Sequence, residues 1–158
     1  MKVKDVMTSA VVTCSPEDSI SDVARLMKKY SVSGIPVVEG GKLVGLVSES
    51  DLLKLLKVPE GSRNLWLPSP FELIELPIRG VLEWEKLREF LDGIEMKKAG
   101  DIMVKKVYSV SSDDAIETAA DVMVRHRINR LPVVDAGRLV GIVAREDIVR
   151  GISRENKA

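Results

Sequence analysis

The chain of 158 residues carries 24 Lys plus Arg against 24 Asp plus Glu, with 45% apolar and 30% charged residues. That is the balance of a foldable chain rather than a disordered one, and zero net charge gives no reason to expect a nucleic acid or an acidic lipid surface as partner. A single cysteine, Cys14, excludes an intramolecular disulfide and a multi-cysteine metal site. No stretch approaches a membrane span, and MKVKDVMTSAVVT lacks the apolar core of a secretory signal, so the expectation is a soluble, cytoplasmic protein.

In chain order, Val11–Thr13 is a short β-branched run, followed by a helix start at Ser15-Pro16-Glu17-Asp18. Ser15 can cap, proline suits the first helical position, and Asp18 can return a capping-box bond. Ile20, Val23, Ala24, Met27 and Tyr30 then recur at helical spacing and predict one apolar face. The runs IPVVE and KLVGLVS flank Gly40-Gly41 and read as a β-hairpin; their near-continuous apolar character suggests strands buried on both faces. A second helix is predicted to open near Ser48 and to carry Leu52, Leu53, Leu55 and Leu56.

The segment from Lys57 to Ala99 breaks this pattern. It holds Trp66 and Trp84, a proline-boxed turn in PSPFELIELP, and a helical spacing of Leu82, Leu87, Phe90, Leu91 and Ile94. A stretch this apolar is expected either to pack on the core or to dock a partner.

Beyond it the first pattern returns. With an offset of 96 residues, Asp5 to Asp51 and beyond lie without a gap over Asp101 to Asp147 and beyond, about a third of the positions being identical. LVGLVSESD (Leu43–Asp51) becomes LVGIVARED (Leu139–Asp147), and Ile116, Ala119, Ala120 and Met123 repeat the helical face. Two copies are too few for a solenoid, so they should complete one another as a pseudo-twofold pair. The expected fold class is α+β: two β-α-β-β-α units at 1–56 and 100–152 packed as one module, a largely helical insert at 57–99, and a tail at 153–158.

The repeats resemble the CBS domain, and the pair resembles a Bateman module. The resemblance is carried by DVM and DIM at the two starts, IPVVEGGKLVG and LPVVDAGRLVG in the middle, and GLVSESD and GIVARED at the ends. It implies a regulatory module rather than an enzyme, binding an adenosine-containing ligand such as AMP, ADP, ATP or S-adenosylmethionine, with no resident cofactor. It further implies a homodimer, and an unidentified protein partner that reads the ligand state. The rival expectation is an interaction scaffold with degenerate sites, working through the insert.

Within that resemblance the ribose acceptors are Asp51 and Asp147, last residues of Gly-x-x-Ser/Thr-x-x-Asp. One site would join Ser48 and Asp51 to Lys105, Lys106, Val107, Ile128, Asn129 and Pro132. The other would join Asp147 to Thr8, Ser9, Val11, Val32, Ser33 and Pro36, and Arg130 could give phosphate donors to either. A carboxylate can accept from both ribose hydroxyls, and a hydroxyl at a helix start sits where the dipole favours an anion. Ser48 supplies that hydroxyl and Ala144 cannot, so the two sites are expected to be unequal. Ser48 and Asp51 equally describe a helix cap; because Asp147 persists where the hydroxyl is lost, capping alone is not expected to explain both acids. His126, the lone histidine, reads as a helix-end cation and Cys14 as a packed thiol. One histidine and one cysteine provide neither a His-dependent triad nor a soft metal site, and no glycine-rich phosphate loop is present.

Overall fold

The structure, a computed structural model, describes residues 1–55 and 92–155. Trp66, Trp84, the proline-boxed turn and most of the predicted insert helix lie outside the described residues.

After a short 3-10 turn at Val3–Asp5, the first copy comprises α1 (Ile20–Tyr30), β1 (Gly34–Glu39), β2 (Lys42–Ser48) and α2 (Glu49–Leu55). A short α3 (Ala99–Ile102) leads into the second copy, with α4 (Ile116–His126), β3 (Arg130–Asp135), β4 (Arg138–Ala144) and α5 (Arg145–Glu155). The strands form one antiparallel sheet in the order β1-β2-β4-β3, and the two hairpins meet at a single central pair, Lys42↔Arg138. Leu43 N–H donates to the Gly137 carbonyl and Leu139 N–H to the Gly41 carbonyl, so the seam is reciprocal about a pseudo-twofold axis. Mixed helices and sheet in two like halves agree with the α+β expectation.

The hairpin turns follow from backbone sterics. Gly40 and Gly41 have φ of 58° and 80°, the two left-handed positions that a tight two-residue hairpin needs. In the second copy Gly137 keeps this freedom at φ 79°, while Ala136 is held at φ 49° against its own Cβ. Burial of consecutive residues in β1 (Ile35, Pro36, Val37) and β3 (Leu131, Pro132, Val133) agrees with the two-faced burial read from the apolar runs.

Three local expectations change. The leading β-run of each copy survives as one parallel bridge, Cys14 to Val37 and Val110 to Val133, with Val11–Thr13 outside any strand. Asp18 accepts the Ser15 N–H as predicted, but Ser15 Oγ accepts from Glu17 N–H and the segment closes a turn; the helix starts at Ile20 with Ser19 as its cap, its side chain accepting from Asp22 N–H. Tyr30 leaves the apolar face and is 49% exposed, because α1 ends there and Ser31 turns left-handed, while Ile20, Val23 and Met27 are buried as expected.

Among the described residues the core forms two clusters, and their membership crosses the repeat boundary. Val3, Val6 and Met7, at the start of the first copy, pack with Ile116, Met123, Leu131 and Val143 of the second. Ala99, Ile102 and Met103, at the start of the second copy, pack with Val23, Met27, Ile35 and Val47 of the first. Backbone bonds lock the exchange: Thr8 pairs both ways with Ile142 at 2.9 Å, and Val104 pairs with Leu46. Ala99 itself is fully buried and begins α3. Lysine ion pairs repeat the symmetry outside, Lys2 and Lys4 on Asp113, and Lys98 on Glu17.

Candidate functional site

Six aspartates share one local device. Asp5, Asp18 and Asp51 in the first copy, and Asp101, Asp114 and Asp147 in the second, each accept the backbone N–H three residues earlier at 2.8–2.9 Å. Such closure satisfies an amide left unpaired at a turn or helix start and places negative charge where the helix dipole favours it. Asp51 Oδ2 also takes the Ser48 hydroxyl at 2.9 Å. Asp147 Oδ2 takes the Ala144 N–H with no hydroxyl present. The expectation that capping could not account for both acids is therefore corrected: the carboxylate alone closes the helix start.

Burial separates two of the six. Asp51 and Asp147, 8% and 6% exposed, are the buried charged side chains among the described residues. Ionised carboxylates are costly to bury unless paired and hydrogen-bonded. Each uses Oδ2 for the cap, while Oδ1, among the described residues, meets a solvent-anchored cation three residues on: Lys54 at 3.4 Å, and Arg150. A second, cation-facing oxygen on a fixed carboxylate is suited to accept from a diol.

The exchanged arms set which loop follows each cross-copy strand pairing. Lys105, Lys106 and Val107 follow Val104, which lies along β2 just before Ser48 and Asp51. Thr8 and Ser9 run along β4 on the side of Ala144 and Asp147, with Val11 close behind. The remaining residues flank the strand starts. Ser33 carbonyl accepts Glu49 N–H and Asn129 carbonyl accepts Arg145 N–H, both at 3.0 Å; Ile128 carbonyl takes Arg145 Nε at 3.2 Å. Val32 and Ile128 pack against opposite core clusters. Pro36 and Pro132 are fully buried, and their carbonyls accept the Cys14 and Val110 N–H groups. These direct bonds tie Ser33 to the helix of Asp51 and Asn129 to the helix of Asp147, each within one copy.

The copies meet in a cleft of about 340 Å³ lined by Met27, Lys28, Ser31, Val32, Ser33, Glu49 and Arg130. Arg130 starts β3 opposite Ala144, and its guanidinium reaches across to 3.5 Å from Ser33 Oγ. Sequence reading named Val32, Ser33 and Arg130 but missed Met27, Lys28, Ser31 and Glu49, which reach the cleft only because α1 and α2 converge there. His126 lies in the last turn of α4 as expected, and its ring stacks on Tyr108 with centroids 3.7 Å apart. Cys14 is buried, and that burial, with Asp18 nearby, pushes its thiol up to about 11. Among the described residues no cluster of His, Cys, Asp and Glu could hold a metal, and no helix is long and apolar enough to cross a membrane.

A sheet shared by two exchanged, pseudo-symmetric halves, with a buried acid at the start of each closing helix, defines a paired-repeat module. The chain belongs to the CBS-domain family: the model for that domain matches residues 3–58 and 99–154. Protein MJ1426 of Methanocaldococcus jannaschii is 43% identical over 154 residues, covering 96% of this chain and 91% of its own. The structure of CBSX2, a protein of Arabidopsis thaliana, in complex with AMP superposes with a TM-score of 0.71 at 28% identity, covering 98% of both chains. The CBS domain pair of protein MJ0100, in complex with 5-methylthioadenosine and S-adenosyl-L-methionine, superposes at 0.66 with 26% identity, covering 96% of this chain and 99% of that one.

Proposed function

We propose that the chain is a non-catalytic regulatory module that binds adenosine-containing ligands, AMP, ADP, ATP or S-adenosylmethionine, between its two copies. The observation that carries this reading is the pair of buried carboxylates, Asp51 and Asp147, each with one oxygen committed to its helix start and the other turned to a cation three residues on. AMP and S-adenosylmethionine in related CBS pairs support the ligand class. Asp51 and Asp147 accept the ribose hydroxyls, and Val107 and Ile128, or Val11 and Val32, flank the base, with Pro132 and Pro36 buried beneath. Lys105, Lys106 and Ser48 face phosphate in the first site, while Thr8 and Ser9 offer only hydroxyls in the second. Arg130 gives a further phosphate donor. A ligand that touches both copies favours one relative orientation of them, which a homodimer in the cytoplasm passes to a protein partner.

Thermal unfolding with adenosine, AMP, ADP, ATP and S-adenosylmethionine tests the reading, followed by calorimetry on Asp51→Asn and Asp147→Asn. Asparagine keeps a capping acceptor, so the variants report on ligand more than on helix closure. A ligand at about 100 times its Kd adds roughly 2.7 kcal/mol to the folded state. The expected pattern is stabilisation by phosphorylated ligands above adenosine and weakened binding in Asp51→Asn. Absence of any shift at millimolar ligand defeats the reading and leaves a ligand-free interaction scaffold.

A further inference from the structure

The two copies differ most tellingly where they touch. Under the 96-residue offset, Arg130 stands over Gly34, so one side of the pseudo-twofold axis carries a guanidinium and the other carries no side chain. Arg130 lies between Asn129 and Leu131, in the strand start assigned to the Asp51 site. It is paired across the sheet with Ala144, the residue capped by Asp147, and its guanidinium stands 3.5 Å from Ser33, assigned to the Asp147 site. We propose that Arg130 is a single anion donor shared by both sites, so that phosphorylated ligands bind the chain with negative coupling. The inference rests on the adenosine-binding reading and adds its regulation. A guanidinium forked onto one phosphate has its best-aligned pair of N–H groups committed there, and a second phosphate drawn to the same single cation meets the repulsion of the first. An unphosphorylated ligand makes no demand on Arg130, and its two binding events are independent.

The converse variant is available, because a Cβ built on Gly34 meets only the Val47 carbonyl oxygen at 3.7 Å, an ordinary contact. Gly34→Arg therefore supplies the missing second donor. Calorimetry with AMP and with adenosine is run on the wild-type chain, Asp51→Ala, Arg130→Ala and Gly34→Arg. The weaker AMP step of the wild type is expected to be about fivefold or more below the affinity that remains in Asp51→Ala, where the first site is empty. That gap is expected to close when the same comparison is made in the Gly34→Arg and Arg130→Ala backgrounds, and to be absent with adenosine. If the wild type takes only one AMP, Gly34→Arg is expected to take two, and one again overturns the proposal. Equal affinities in wild type and Asp51→Ala, a gap that persists with adenosine, or loss of all AMP binding in Asp51→Ala also overturn it. Absence of heat with either ligand in every protein removes the adenosine-binding reading itself.

Discussion

Gly45 lies in the middle of β2, inside the LVG that both copies share, and its role is set by the other copy's arm. A Cβ at this position runs into Met103 Sδ and stands 2.8 Å from Met103 Cγ and 3.0 Å from Met103 Cβ. Non-bonded carbon contacts settle near 3.5–4.0 Å, so Gly45→Ala forces the Met103 side chain back by about 1 Å along its length. Met103 packs against the first copy's core, and the next residue, Val104, bonds Leu46 in both directions, so the displaced thioether has little room. The expected cost is about 1–3 kcal/mol of overpacking, a fall in Tm of roughly 2–4 °C per kcal/mol in a chain of this size. Denaturant unfolding of Gly45→Ala, Met103→Ala and the double variant separates this contact from a loss of strand geometry. If the methyl fills space the thioether vacates, the double variant is more stable than the summed single effects by about 0.5 kcal/mol or more. Strict additivity refutes the exchanged-arm account of Gly45.

Three further outcomes follow from single contacts. Ala136→Gly relieves a left-handed alanine worth about 1–2 kcal/mol and adds about 0.5–1 kcal/mol of chain entropy, so a net gain of roughly 0.5–1 kcal/mol is expected in urea; unchanged or lower stability contradicts the turn assignment. Hydrogen bonds and charge from Lys4 and Lys2 lower the Asp113 carboxyl to about 2. Its contribution is thus present above the unfolded value near 3.9 and is lost as pH falls toward about 2; acid unfolding of Asp113→Asn should lack that part of the slope. Cys14, buried and with its thiol raised to about 11, should react with an aromatic disulfide reagent at pH 8 only after unfolding, and fast labelling of the native chain would contradict its burial.

Much of this molecule is legible in one dimension because its signals are local. A two-residue glycine turn between apolar runs specifies a hairpin, helical spacing specifies Ile20, Val23 and Met27 as a buried face, and a gapless offset announces two equivalent halves. The same local signals misplace the start of α1, since Ser15 and Ser19 are both competent caps and only the chain's path past Lys97 and Lys98 selects the second; Ile20 N–H reaches the Lys97 carbonyl. Nothing in DVM or DIM says that each arm crosses to the other copy. That choice belongs to tertiary packing, where Met7 finds Gly141 and Met103 finds Gly45, glycines whose missing side chains make the space.

The candidate site divides along the same line. The gapless repeat sets Asp147 over Asp51 and Ala144 over Ser48, and the resemblance to the CBS domain, not the spacing, marks those positions as a ligand site. Only the folded chain decided that these two acids, out of six making the same local bond, are taken out of water. Only it, too, set Arg130 of one copy against Ser33 of the other. Spacing along the chain fixes what a residue can do for its own turn of helix, whereas burial and cross-copy contact arise from surfaces far apart in sequence that close on one another.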